Sequence, residues 1–156
     1  MRLVANLRVF RAIAEDAAAE VKRLQDGERA AGSGGITVVQ RDPQQRSFKH
    51  SLIALAFAGS YLEALLRVVA TERLGRECYA KLDRQKWENK LKALGVKDEG
   101  VIARCERFRK ARNEVMHEEP LDLEAQTSRV PLVVAQAECE PAIELVREIA
   151  RLLGEP

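Results

Sequence analysis

Between residues 52 and 70 the chain is apolar at every position except Gly59, Ser60, Glu63 and Arg67. A run of this length reads as a helix long enough for a bilayer, but a charge at the bilayer centre costs about 2.5–3.5 kcal/mol, and two fall inside the run. It is therefore expected to be a buried helix of a folded domain. A helix that is apolar on most faces has to be enclosed by others, which points to a bundle with this helix at its centre. Composition agrees: apolar residues make up 46% of the chain, charged residues 32% and aromatics 4%, with the apolar share carried by the Leu, Ala and Val of helix seams. The expected class is all-α. Ser47 is the candidate N-cap of this helix, Leu74 its end and Gly75 its C-cap, and Ala56 and Gly59 would let a neighbouring helix come close.

The remaining elements follow from periodicity and punctuation. Leu3, Leu7, Phe10, Ala14, Ala17, Val21 and Leu24 alternate by four and three, the seam of a long first helix that stops at Asp26-Gly27. A flexible loop over about 26–46 follows, containing Ala30-Ala31-Gly32-Ser33-Gly34-Gly35. Within it, Ile36-Thr37-Val38-Val39 is β-branched and reads as a short strand, with residues 130–134 as its partner in a two-stranded pair. A short helix is expected over 84–94, with Trp87, Leu91 and Leu94 on one face and Gly95 ending it. Another begins at the N-cap candidate Asp98 and ends before Pro120. The last starts at Glu140-Pro141 and closes at Leu153 before Gly154. Residues 1–156 thus form one domain without internal repeats.

Charge and cysteine usage exclude more than they assign. The net charge is +2, so no global field marks a nucleic-acid binder and any such role needs a local patch. Cys78, Cys105 and Cys139 match neither a disulfide framework nor a zinc motif. The opening MRLVANLRVFR has no apolar stretch suited to a signal peptide. A reduced, cytoplasmic setting without membrane contact is expected. His50 and His117 are the two histidines. His50 precedes the apolar run as a capping or surface residue, and neither a metal site nor a cofactor is expected.

Two charges break otherwise apolar helical stripes. On the fourth long segment Val101, Cys105, Phe108 and Val115 step by four, three and seven, and Arg112 occupies the missing place, within about 20° of the stripe direction. Glu63 stands on the line of Leu52, Ala56, Gly59, Leu66 and Ala70. A lone buried charge costs several kcal/mol, so Glu63 and Arg112 are expected to meet as a pair. Arg104, Arg107, Arg109 and Lys110 form a basic cluster just before Arg112, suited to phosphates or simply to a solvated face. Downstream, Glu114, Glu118, Glu119, Asp122 and Glu124 would repel RNA on that side.

The hexapeptide Arg112-Asn113-Glu114-Val115-Met116-His117, late in an all-helical chain, resembles the R-x4-6-H motif of the HEPN superfamily in its R-N-x3-H form. The similarity extends over the Ala- and Leu-rich helix with its internal acid, the Trp87-Glu88-Asn89-Lys90-Leu91-Lys92 helix and the closing helix after Pro141. It implies a bundle of four to five helices that dimerises with two motif helices facing across a cleft, and metal-independent cleavage of RNA. In that chemistry a ribose 2′-hydroxyl attacks the adjacent phosphorus, His117 moves a proton and Arg112 neutralises charge growing on the phosphate. Asn113 orients the imidazole or donates to a phosphate oxygen, and Glu63 holds the guanidinium. Arg109 and Lys110 would grip flanking RNA phosphates. The implied role is a toxin or phage-defence component, with an antitoxin or nucleotidyltransferase-like protein as partner. Residues five apart differ by about 140° and lie roughly 8 to 9 Å apart at Cα. Arg112 and His117 therefore need the long Arg side chain, a distorted last turn or a second subunit to act together.

Taken singly, each feature has a plainer reading: a self-satisfying ion pair for Arg112 and Glu63, and a helix C-terminal histidine for His117. The alternative function is then a non-catalytic module of the same fold that binds a nucleotide or a protein partner. A coiled-coil assembly factor driven by the first helix is the third class.

Overall fold

The structure, a computed structural model, describes residues 2–30, 45–116 and 131–155. They form six helices: α1 (Arg2–Ala30), α2 (Arg46–Leu74), α3 (Arg76–Leu82), α4 (Trp87–Ala93), α5 (Glu99–Met116) and α6 (Pro131–Leu152). The class is all-α, and no strand occurs among the described residues.

The central helix is α2, which packs against α1, α3, α4, α5 and α6. Leu55, Leu62, Leu65 and Leu66 are completely buried, each worth about 1.5–3 kcal/mol on removal from water. They meet Leu7 and Ala14 of α1, Leu91 of α4, Val101, Cys105 and Phe108 of α5, and Leu145, Val146 and Ile149 of α6 in one core. By length and composition α2 could cross a membrane, and here it is the helix around which the others pack. The ring of neighbours runs α1, α6, α5, α4 and stays open between α1 and α4. A cleft occupies that gap, with Ser60, Glu63, Ala64 and Arg67 of α2 along it.

Local signals explain most boundaries. Asp98 caps α5, its Oδ1 accepting the backbone N–H of Gly100 at 2.8 Å and Val101 at 3.1 Å, as an N-cap carboxylate does. Gly75, Gly95 and Gly154 take φ of 83°, 88° and 78° at or just after the ends of α2, α4 and α6, a region costly for any side chain. Past α6 the N–H of Glu155 reaches back to the carbonyl of Ala150 at 2.9 Å, closing the helix end.

Several expectations need correction. Ser47 is not the N-cap of α2: Gln45 holds that place with φ 50° and without a side-chain cap bond. Ser47 is instead buried within the first turn, where its Oγ accepts from Gln136 Nε2 at 2.6 Å and its carbonyl accepts from Ser51 Oγ at 2.8 Å. The first helix does not stop at Asp26-Gly27 but continues to Ala30, because a single glycine costs a helix only about 1 kcal/mol. The last helix begins at Pro131, not at Glu140, and carries Pro141 in its interior. An interior proline costs about 3 kcal/mol, and burial of Ala135, Cys139, Ala142 and Ile143 on both sides of it outweighs that. Residues 131–134 are consequently helical and offer no strand partner. The expected strand at 36–39 and most of the expected loop lie outside the described residues. The unexpected helix is α3, which buries none of its residues and so shows no apolar period.

Candidate functional site

Five side chains of α5 form its inward stripe: Val101, Cys105, Phe108, Ala111 and Val115 are all buried. Arg112 borders this stripe, and its half-buried side chain leans between α2 and α4. Its Cζ lies 5.7 Å from the centre of the Trp87 ring, within cation–π range. On the other side it presses into the notch left by Gly59, where a Cβ would stand 2.5 Å from Arg112 Nε and 2.7 Å from its Cδ. Gly59 thus admits a side chain of α5 where a close approach by a helix was expected. Trp87 is held in turn by Phe108, with ring centroids 5.3 Å apart. The Arg112 Nε is buried and has no hydrogen-bond partner.

The expected Glu63–Arg112 pair is not formed. Glu63 is exposed, and no ion pair joins it to Arg112 among the described residues. The stripe put Glu63 one turn beyond Gly59 on a buried line, but the Glu63 side of α2 lines the gap between α1 and α4, while Leu62, Leu65 and Leu66 beside it face the core. A wheel records which residues share a direction, not whether a neighbour covers it.

The basic run before Arg112 is largely matched by carboxylates. Arg104 pairs with Glu148 at 2.7 Å, Arg107 with Glu138 at 2.5 Å and Lys110 with Glu106 at 2.8 Å. Arg109 makes a forked contact to Glu88 at 2.8–3.1 Å, with side-chain exposures of 18% and 10%. Burial works to raise the Glu88 pKa, and the Arg109 hydrogen bonds outweigh it, so the carboxyl ends below its ordinary range. The same hydrogen bond raises Arg109. The cluster expected as a free patch is therefore a set of surface pairs plus one partly buried one, and Arg112 is the cation of the run without an ion pair among the described residues.

Asn113 is exposed near the end of α5, as is Met116 at 45%. His117 lies outside the described residues, and so do Glu118, Glu119, Asp122 and Glu124. The structure thus brings Arg112 together with Trp87 and Gly59, and leaves Glu63, Arg109 and Lys110 in other surroundings.

The sequence reading grouped Trp87 with the core and missed its second role as a shelf for a guanidinium. It also missed the polar cleft beside α2, where Arg67, Tyr79, Asp83 and Lys90 converge. Those four carry no periodic signal because they come from α2, from α3 and the C-cap that follows it, and from α4. Elsewhere, burial pushes the Cys105 thiol up to about 12 and that of Cys139 to about 11, while Cys78 is exposed. Among the described residues no three of His, Cys, Asp or Glu gather as metal ligands. Comparison of the chain with known protein families, curated proteins and solved structures finds no match.

Proposed function

We propose that the protein is a metal-independent endoribonuclease of HEPN type, acting as a homodimer with Arg112 and His117 at a shared cleft. The observation that carries this reading is the state of Arg112. Four neighbouring cations of α5 are each matched by a carboxylate. Arg112 is held in place by Trp87 and Gly59 instead, and no acid among the described residues pairs with it. A positioned, uncompensated guanidinium suits an anion supplied from outside, and a phosphodiester is the anion that the Arg112-Asn113-Glu114-Val115-Met116-His117 motif leads one to expect.

In this reaction a 2′-hydroxyl loses its proton to a base and attacks the adjacent phosphorus. A 2′,3′-cyclic phosphate forms, and the 5′-oxygen of the next nucleotide leaves with a proton. His117 serves one of the two proton transfers, near neutrality as an imidazole does. Arg112 offsets charge on the non-bridging oxygens, and Asn113 donates to one of them or orients the imidazole. Arg109 and Lys110, already paired, contribute little to RNA affinity here, and Glu63 is not required. A toxin or phage-defence role in the cytoplasm, countered by an antitoxin or a nucleotidyltransferase-like partner, fits such an activity.

The decisive experiment is cleavage of RNA by the purified protein and by Arg112→Ala and His117→Ala, with growth arrest on expression as a second readout. Each variant is expected to lose about 10²–10³-fold in rate. Full activity in both would end the proposal.

One observation favours a second reading, a non-catalytic module binding a nucleotide or protein partner: the shelf of Trp87 gives Arg112 a packing role. On that reading Arg112→Ala lowers the melting temperature and the wild type cuts no RNA. On the nuclease reading stability changes little.

A further inference from the structure

The gap between α1 and α4 exposes a cleft of about 510 Å³, within the size range of small-molecule sites. Its charges are unusually arranged. Arg67 and Glu63 stand four apart on α2, a spacing at which they would ordinarily pair. Arg67 turns away instead, placing Nε 3.3 Å from the Tyr79 hydroxyl and a terminal nitrogen 3.6 Å from Asp83. Asp83 also accepts the Tyr79 hydroxyl. Asp83 and Arg67 thus face each other, and among the described residues Glu63 has no ion-pair partner.

Across the cleft lies the complementary anomaly. Lys90 is only 7% exposed. Its ammonium donates to the backbone carbonyl of Asp83 at 2.8 Å and lies 5.9 Å from the Tyr79 ring centre, but no carboxylate among the described residues lies within ion-pair distance of it. The Asp83 carboxylate acts on this ammonium only at longer range. A buried ammonium without a direct ion pair is costly, and it lines the cleft. Phe10 and Ala64 supply apolar surface to the same lining.

We infer that this cleft binds a small zwitterion, an α-amino acid with an apolar side chain, its carboxylate on Lys90, its ammonium on Glu63 and its side chain against Phe10. The four charges of the cleft sum to zero, so a polyanion such as a nucleotide gains no net attraction and meets the free Glu63 carboxylate. A zwitterion satisfies both unpaired groups at once. The site is separate from Arg112 and does not rest on the nuclease reading.

The test is calorimetric titration of the full chain with L-leucine and L-phenylalanine, alongside 3-phenylpropionate, which lacks the amine, and phenethylamine, which lacks the carboxylate. At least one amino acid is expected to bind, with each half-molecule about tenfold or more weaker. Glu63→Gln, at an exposed position, should fold normally and lose about tenfold in amino-acid affinity while leaving 3-phenylpropionate unaffected. Lys90→Met should show the reverse selectivity, losing the amino acid and sparing phenethylamine. If neither amino acid binds at millimolar concentration, if the half-molecules bind equally well, or if Glu63→Gln leaves affinity unchanged, the inference is overturned. The same holds if uridine monophosphate occupies the cleft more tightly than the amino acids, as read by its competition with them.

Discussion

Arg109 and Arg112 are three residues apart on α5, yet the seam with α4 and the region beyond it treat them differently. At the seam, Glu88 from the first turn of α4 meets Arg109 with a two-pronged contact in a partly dry setting. Further along α5 the neighbour is the Trp87 ring, and α2 offers a notch at Gly59 instead of an acid. Adjacent residues of α4, Trp87 and Glu88, thus decide the fate of two arginines. A cation that meets a carboxylate has its charge compensated, whereas one that meets an aromatic face is positioned with its charge uncompensated. A stripe of arginines on a helix therefore says little about anion binding until the partner of each is known.

The comparison is broken most forcefully at Arg109. Arg109→Ala leaves Glu88 partly buried without its counter-charge and should cost about 3 kcal/mol, lowering Tm by about 6–12 °C in a chain of this size. The double variant Arg109→Met with Glu88→Leu should recover most of that in calorimetry. If Arg109→Ala melts like the wild type, the pair is not structural.

Acid acts on the same contact. Because the Glu88 pKa is lowered in the fold, its contribution is fully present above the unfolded carboxylate value of about 4.3 and is lost as pH falls through the folded value. Urea midpoints should drop below about pH 4 by more in the wild type than in Glu88→Gln, and parallel curves for the two proteins would refute this.

Gly59→Ala sharpens the other half of the comparison. The new Cβ drives the guanidinium from the notch, while alanine gains up to about 1 kcal/mol in helix propensity. Stability should stay within about 1 kcal/mol of wild type, and the RNA cleavage proposed above should fall about a hundredfold through misplacement of Arg112. Undiminished cleavage would mean that the Gly59 notch plays no part in placing it. The smallest effect concerns the thiols. Iodoacetamide should modify Cys78 alone in the folded protein without changing Tm, and Cys105 and Cys139 only after unfolding, as mass spectrometry would read.

Much of the fold was legible because it rests on local signals. The apolar run of α2, the cap at Asp98 and the glycines at 75, 95 and 154 each act within a turn of themselves. The misreadings share one cause, a local signal overridden by tertiary burial. Pro141 looked like a helix start and is a helix interior, and Ser47 looked like a cap and is buried against Gln136. For the candidate site, the anomaly of Arg112 was visible in the stripe of α5. Its neighbours were not, since Trp87 and Gly59 come from other helices, and Glu63 was assigned a burial that an open flank denies it.

By itself the amino-acid order determined that this chain would be helical, with residues 52–70 at the centre and a cation out of place on a late helix. Periodicity and capping are properties of neighbours along the chain, so they can be read from it. Which acid met which base, and which side of α2 stayed open, were decided only when the helices packed. Those outcomes depend on distances between segments tens of residues apart, and no spacing within one helix encodes them.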